Sequence, residues 1–384
     1  MSTTSYDQNL IQLEEDAAAL SAGGILTIDL AALRANYKLI ADMLAPTRAA
    51  AVVKADAYGL GADKVAPQFY AAGCRDFFVA HLNEAIALQP HLANDITIYV
   101  LNGLQPQTEQ LCAKNNIVPV LNSMEQLRNW VALAKVQNRR LPALLQLDTG
   151  MARLGLSEPE LRELLADLSL LEAIDIKYVI SHMAAADNPD SPQNQAQLAQ
   201  MQAALKQLPH FPVAFSNSGG SFLQSAYHYD LARPGIALYG GAPQENKPNP
   251  MHPVVSLQAR VIQCRTVPAQ TLVGYSGSYT TKAETRIATI AVGYADGWPR
   301  HLSNKGAAYY GDTRLPVIGR VSMDSITLDI TALPEGTLKL GSLVELIGER
   351  QTLEQVARDA GTISYDILTA LGHRYHRTYI NNVL

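Results

Sequence analysis

Four stretches of this chain end an apolar run on a residue type that can do chemistry. In "AAAVVKADAYGLGA" (49–62) two valines run into Lys54. "IKYVISH" (176–182) ends on His182, and "VAFSNSGG" (213–220) carries Asn217 and Ser218. "DLARPGIALYG" (230–240) places Arg233 directly before Pro234 and Gly235. A lysine at the buried end of a strand has lost solvation, which lowers its pKa and frees the neutral amine. A neutral amine attacks an aldehyde to form a Schiff base. The same pattern also describes a structural lysine that snorkels to water or pairs with a carboxylate. Ser218-Gly219-Gly220 and Gly235-Ile236 offer backbone N–H groups of the kind that cradle phosphate. Pro234 and Gly235 force a turn after Arg233 and so fix where its guanidinium points.

Other chemistries are excluded by spacing. "GLGADK" fails the dinucleotide pattern because Lys64 stands at the third glycine position. Neither a P-loop nor an H-E-x-x-H zinc pattern occurs, and His373 and His376 in the basic tail read as surface residues. Cys74, Cys112 and Cys264 are odd in number and far apart, which suits neither a disulfide framework nor a metal site. The formal net charge of −5 over 384 residues argues against a nucleic-acid partner. No apolar run reaches the ~20 residues needed to span a bilayer. The polar, acidic start lacks a signal-peptide pattern, so a cytoplasmic enzyme without metal or membrane partner is expected.

The elements that must hold these residues are short apolar runs recurring every 20 to 35 residues between Ala49 and Gly241. They lie at 50–54, 76–80, 96–101, 117–121, 143–148, 176–182, 213–217 and 230–238, with helical patterns such as "ELRELLADLSL" between them. Eight near-continuous apolar strands imply burial on both faces. They predict an α/β fold, an eight-stranded parallel (β/α)8 barrel, over residues 25–250. Such barrels carry their reacting groups at the C-terminal strand ends, where Lys54, His182, Asn217, Ser218 and Arg233 fall. After "APQENKPNPMHP" (242–253) the pattern becomes β-rich. Residues 251–384 are expected to form a second, mainly antiparallel β domain, with which the early run 23–30 could pair.

These residues together resemble alanine racemase, a two-domain fold-type III enzyme that uses pyridoxal 5′-phosphate. "AVVKADAYGLGA", "LDTGMARLG", "SNSGG", "ARPGIALYG", "VGYADGWPR" and "GRVSMD" follow in the family order from about residue 24 onward. The resemblance implies that Lys54 carries the cofactor and acts as one base. Tyr275, in "VGYSGSY", is implied to be the opposite base, donated by the other subunit of a homodimer with shared active sites. Tyr279 lies in the same stretch, and the motif position favours Tyr275. Tyr58, Asn217, Ser218, Tyr365 and the backbone at Gly235 and Ile236 are implied to bind cofactor. Arg233 is implied to face the pyridine nitrogen, and His182 to bridge Tyr275 and Arg233. Arg153 and the Met323 N–H would take the substrate carboxylate, while Asp187, Tyr294, Arg300 and Arg320 match the family's access corridor.

The implied reaction interconverts L-alanine and D-alanine and supplies D-alanine for peptidoglycan. Racemisation removes Hα from one face and returns a proton to the other, so two bases must flank the substrate. A tyrosine with an unperturbed pKa of about 10 serves only if a neighbouring cation favours its phenolate, as Arg153 and the His182–Arg233 link could. An arginine, with pKa above about 12, holds its proton too tightly to give it to the ring nitrogen, which limits side reactions. Two departures stand out. Gln146, seven residues before Arg153, occupies the place of a family lysine whose carbamate positions that arginine, a role open to an anion such as chloride. His376 stands where the family usually has proline. The alternatives are a racemase of broader specificity, an amino-acid decarboxylase, and a non-catalytic pyridoxal-phosphate-binding barrel. Arg153 with Met323 argues against the decarboxylase, and the second domain against the binding protein.

Overall fold

The computed structural model describes residues 17–381. They fall into two compact units: Ala32–His252, and the described part of Met1–Ala31 together with Pro253–Leu384. The chain enters through β1 (Gly24–Asp29) and helix α1 (Leu30–Leu44) before the first barrel strand.

The first unit is a parallel sheet closed on itself. Its strands are β2 (Arg48–Ala49), β3 (Ala51–Val52), β4 (Asp76–Val79), β5 (Thr97–Val100), β6 (Val118–Leu121), β7 (Leu141–Gln146), β8 (Ile174–Ile180), β9 (Val213–Ala214) and β10 (Leu231–Ala232). Neighbours pair in sequence order from β3 to β10, and β10 pairs with β2. Only Ala50 separates β2 from β3, so the nine segments are eight strands with the first one shared between two neighbours. Ala50 N donates to Ala232 O on one side (2.9 Å), and Val53 N donates to Phe78 O on the other (2.8 Å). All residues of β4 and β6 are buried, as expected of strands covered on both faces.

Helices α2 (Ala62–Ala71), α3 (Leu82–Leu88), α4 (Glu109–Lys114), α5 (Met124–Val136), α6 (Glu158–Ala166) and α7 (Pro192–Leu205) alternate with these strands. Helix α5 shows why. Ser123 caps it by accepting from Gln126 N, and Met124, Leu127, Trp130, Val131 and Ala134 form its buried stripe. Each large side chain so buried contributes roughly 1.5–3 kcal/mol. The expected strand at 230–238 is much shorter. Only Leu231–Ala232 is strand. Arg233 N and Pro234 O still bond to the neighbouring strands, but Pro234 has no N–H to carry the pairing further, and Ile236–Tyr239 turns as a 3₁₀ segment.

The second unit is built on β11 (Val255–Val267). Strands β12 (Leu272–Val273) and β13 (Tyr279–Thr280) form a separate ribbon. They are followed by β14 (Thr285–Ile290), β15 (Ala307–Tyr310), β16 (Thr313–Pro316), β17 (Ile326–Asp329), β18 (Leu343–Ile347) and β19 (His376–Ile380). β11 pairs antiparallel with β1, β14 and β18, while β1 pairs parallel with β19. β1 alternates buried and half-buried residues, with Leu26 and Ile28 inward. His376 is not a surface tail residue as expected. It is half-buried and opposite Ile25 in the ladder, whereas His373 is exposed. No helix among the described residues is long and apolar enough to cross a membrane.

Toward the starts of the barrel strands lies a buried polar group. Asp76 accepts from Arg48 and from the Tyr99 hydroxyl (2.9 Å), and Arg48 also reaches the Tyr178 hydroxyl (3.2 Å). Burial pushes the Asp76 carboxyl up from its ordinary value and Arg48 pulls it back. Asp76→Ala would strand the Tyr99 hydroxyl and the half-exposed Arg48. Its expected cost is about 2 kcal/mol, below the ~3–5 kcal/mol of a fully buried broken pair because water reaches Arg48. Urea unfolding of the variant should show a lower midpoint; an unchanged midpoint would remove this group from the stability account.

Candidate active site

The residue after the first barrel strand starts an unusual turn. After Lys54, over Ala55–Gly59, the backbone is left-handed: Ala55, Asp56, Ala57 and Tyr58 have φ of 53°, 53°, 53° and 57°. Four consecutive non-glycine residues in this region cost about 1–2 kcal/mol each. Strain of this kind persists only where surrounding contacts over-determine it. Here Ala57 N donates to Val53 O, Gly61 N to Asp56 O, and Ala62 N to the Asp56 carboxylate (2.7 Å). Glu84 takes the Ala55 N–H at 2.6 Å. Gly59 and Gly61, at φ 80° and 91°, then lead into α2.

Barrel closure decides what Lys54 meets. Val52 N donates to Pro234 O, Arg233 N to Ser216 O, Ser181 N to Ala214 O, and Leu147 N to Ile180 O. This ladder sets the ends of strands one, eight, seven, six and five side by side, and with them Lys54, Arg233, Ser218, His182 and the loop carrying Arg153. The electrostatics agree. Burial lowers the Lys54 pKa, the Arg153 charge lowers it further, and Glu84 raises it. Burial pushes His182 down to about 3, helped by the cations Arg233, Arg153 and Lys54, so its imidazole is neutral.

Arg233 is buried, and burial alone lowers its pKa, to about 10. Its guanidinium donates to Ala214 O and to Ser181 O (2.6 Å), with the Phe78 ring 5.9 Å away. No carboxylate pairs with it among the described residues. A buried cation without an anion is costly unless something electron-rich completes the site.

A cradle of donors sits beside it. Ser218 Oγ accepts from Gly235 N (2.8 Å) and Ala237 N (3.3 Å). The Tyr58 ring stacks on Tyr239 at 4.4 Å, and Tyr239 donates its hydroxyl proton to Val52 O. A Cβ at Gly235 would lie 2.1 Å from Tyr58 Oη, so only glycine allows this approach. Asn217 donates to Met183 O and accepts from Gly220 N, which fixes the Ser218 loop. Hydroxyls and backbone N–H groups therefore converge on one spot next to a lysine and a buried arginine. That donor set fits a phosphorylated aldehyde.

Arg153 is exposed on the loop after β7. Asp148 organises that loop by accepting from Gly150, Met151 and Ala152 N–H. Gln146 donates to Leu154 O (3.3 Å) and so braces the backbone next to Arg153. Asp187 is exposed in the loop after β8. The remaining sequence-derived candidates belong to the second unit. Tyr275 is 69% exposed, following Gly274 at φ 74°. Met323, Tyr294 and Tyr365 are exposed as well, as is Arg300. Arg320 is half-buried and donates to Ser276 Oγ (3.4 Å).

Sequence reasoning missed three residues that hold this site. Glu84 was the most accessible of them, since His81 and Glu84 have capping-box spacing directly after a strand. Gln197 donates to His182 O and Thr149 Oγ1 and accepts from Ala184 N, tying α7 to two loops of the site. Tyr239 backs Tyr58, and no local pattern marks it.

Comparison with known proteins places this architecture. The family model described as alanine racemase, N-terminal domain, matches residues 28–243, and its C-terminal domain counterpart matches 254–379. An alanine racemase of Brucella canis is 62% identical over 96% of this chain and 97% of its own length. A catabolic alanine racemase of Agrobacterium fabrum is 59% identical, covering 96% and 95%. The solved Bartonella henselae alanine racemase with covalently bound pyridoxal phosphate superposes with a TM-score of 0.91. It is 46% identical and covers 94% of this chain and 100% of that one. The Streptomyces coelicolor alanine racemase gives a TM-score of 0.89 at 31% identity, over 96% and 100%.

The neutral His182 has a thermodynamic signature. Its folded pKa of about 3 lies below the unfolded value near 6.5, so between these values the unfolded chain binds more protons. The His182 contribution is therefore present above pH ~6.5 and lost as pH falls toward 3. Unfolding midpoints measured across that window should fall less steeply for His182→Gln than for the parent chain. Parallel curves would show that His182 takes up its proton as readily in the fold as in the unfolded chain.

Proposed function

The chain belongs to the alanine racemase family, pyridoxal-phosphate-dependent isomerases, and on that premise we propose how its own residues interconvert L-alanine and D-alanine. The carrying observation is the placement of Lys54. It stands at the head of a strained turn, has a lowered pKa, and lies beside the uncompensated Arg233 and the Ser218–Gly235–Tyr58 cradle. When bound, pyridoxal phosphate supplies an electron sink that weakens the Cα–H bond of the attached amino acid.

The protein's part is binding and proton transfer. Lys54 would hold the cofactor aldehyde through Nζ. Tyr58, Asn217, Ser218, Tyr365 and the backbone at Gly235 and Ile236 would hold its phosphate end. The Arg233 guanidinium would face the ring nitrogen as a hydrogen-bond donor that does not give up its proton. Arg153 and the Met323 N–H would bind the alanine carboxylate. Lys54 Nζ would exchange a proton on one face of Cα and Tyr275 Oη on the other, because one base cannot reach both faces. His182 would connect Tyr275 with Arg233, and Asp187, Tyr294, Arg300 and Arg320 would line the access corridor.

We infer a homodimer in which Tyr275 and Met323 serve the partner's barrel. Support comes from the second unit, which exposes Tyr275, Tyr294, Met323 and Tyr365, a set of large apolar groups that water covers poorly. The free thiols of Cys74, Cys112 and Cys264 suit a reducing cytoplasm. The D-alanine formed would supply peptidoglycan synthesis. The word catabolic in the Agrobacterium relative's name points to alanine breakdown as the other use. A deletion strain that needs added D-alanine to grow would support the first.

Three measurements test the residue roles. Borohydride reduction of the loaded enzyme followed by peptide mapping should find the adduct on Lys54, and Tyr275→Phe should keep cofactor absorbance while racemisation falls about 10²-fold or more. Full activity in the Phe variant would end the two-base assignment. Gly235→Ala forces its methyl against Tyr58 Oη and should weaken cofactor binding about tenfold or more, read as loss of visible absorbance on dilution. Unchanged retention would move the phosphate elsewhere.

A further inference from the structure

We propose that Glu84 is a positioning residue for Lys54, gripping the left-handed turn and presenting its negative charge to the amine. The inference rests on Lys54 being the cofactor lysine. Glu84 lies on α3, and its Oε2 accepts from Ala80 N (2.7 Å) and His81 N (2.9 Å). The bond to His81 N, the N-cap residue, is what a capping box requires, and the one to Ala80 N extends it by a residue. Its other oxygen does something a cap does not need. Oε1 accepts from Ala55 N at 2.6 Å, across 29 residues of sequence, at the first strained residue after Lys54.

The surroundings make that bond hard to replace. A cavity of about 420 Å³ borders the turn, lined in part by Val53, Asp56, Val79, Glu84 and Leu88. Side-chain packing is therefore thin on this side, and the turn is held chiefly by hydrogen bonds. Freed from Glu84, Ala55 can leave a conformation that costs it about 1–2 kcal/mol, and Lys54 would move with it. The charge acts as well. The groups facing Lys54 are Arg153 from the loop after β7, His182 from the end of β8, and Glu84. On its own turn, Asp56 is engaged by Ala62 N, while Asp63 and His91 line the cavity. With His182 neutral, Glu84 is the anion that offsets Arg153 at the amine.

The test follows attachment of pyridoxal 5′-phosphate to the full-length apoenzyme, trapped with cyanoborohydride and mapped to its lysine. Rates are measured from about pH 6 to about pH 10 for the parent, Glu84→Gln and Glu84→Asp. Glu84 favours the charged ammonium, so Glu84→Gln should shift the midpoint of the rate profile to lower pH. Its plateau should drop about tenfold, because the amine is less well placed. Glu84→Asp keeps the charge but withdraws it, so its plateau should fall with little change of midpoint. That variant alone decides should the Gln form not fold. Parent-like midpoints and plateaus with the adduct on Lys54, even with a lower melting temperature, would reduce Glu84 to a helix cap and overturn the proposal. An adduct on another lysine would overturn the cofactor-lysine assignment itself, and this inference with it.

Discussion

Everything at the barrel mouth depends on how the first strand is shared. Its early half, Arg48–Ala49, pairs with the last strand, and its late half, Ala51–Val52, pairs with the second. Alternate N–H groups of one strand thus bond in opposite directions, Val52 to Pro234 O and Val53 to Phe78 O. An open sheet would leave Lys54 at one edge and Arg233 at the other. Closure makes them neighbours although 179 residues of sequence separate them. The chemistry of the site is in that sense a consequence of eight strands being the number that closes with a filled interior.

Closure also concentrates positive charge. Lys54, Arg153 and Arg233 point to one region, and the neutral His182 adds nothing to it. Arg153 lowers the readiness of Lys54 to be charged, and the three cations together lower that of His182, where burial already opposes charge. A cofactor phosphate and a substrate carboxylate are both anions, so binding them relieves the repulsion. In the role proposed for it, the Lys54 amine would have to be neutral for attack and for taking a proton, and the same repulsion would favour that form before the anions arrive. One arrangement thus serves binding and reactivity together.

Much of this was legible in the chain before folding. The strands read out because "DFFV" and "VPVL" are apolar throughout, a pattern that only double burial tolerates. Lys54, His182, Ser218 and Arg233 were found by being at strand ends. The left-handed turn was not legible. "KADAYG" is rich in alanine and reads locally as right-handed helix, and tertiary bonds override that preference. Glu84 was hidden by its double role, since the cap is local and the bond to Ala55 is not. The span of the last barrel strand was overestimated because "DLARPGIAL" is apolar on both sides of Pro234, while the missing N–H ends the ladder.

A common device places the two most exposed cations. Arg153 has Gln146 rather than an acid beneath it, and Gln146 spends its amide on Leu154 O. The acid that matters to Arg153 is Asp148, and it holds three backbone N–H groups of the loop, not the guanidinium. Glu84 and Asp56 do the same for Lys54, holding Ala55 N and Ala62 N. Had these carboxylates paired with the cations directly, the cations would be neutralised and their hydrogen-bonding capacity taken. By gripping backbone amides they fix direction and leave the charge available. A site that must receive two anions needs its cations placed but unpaired, and carboxylates bonded to the backbone satisfy both conditions.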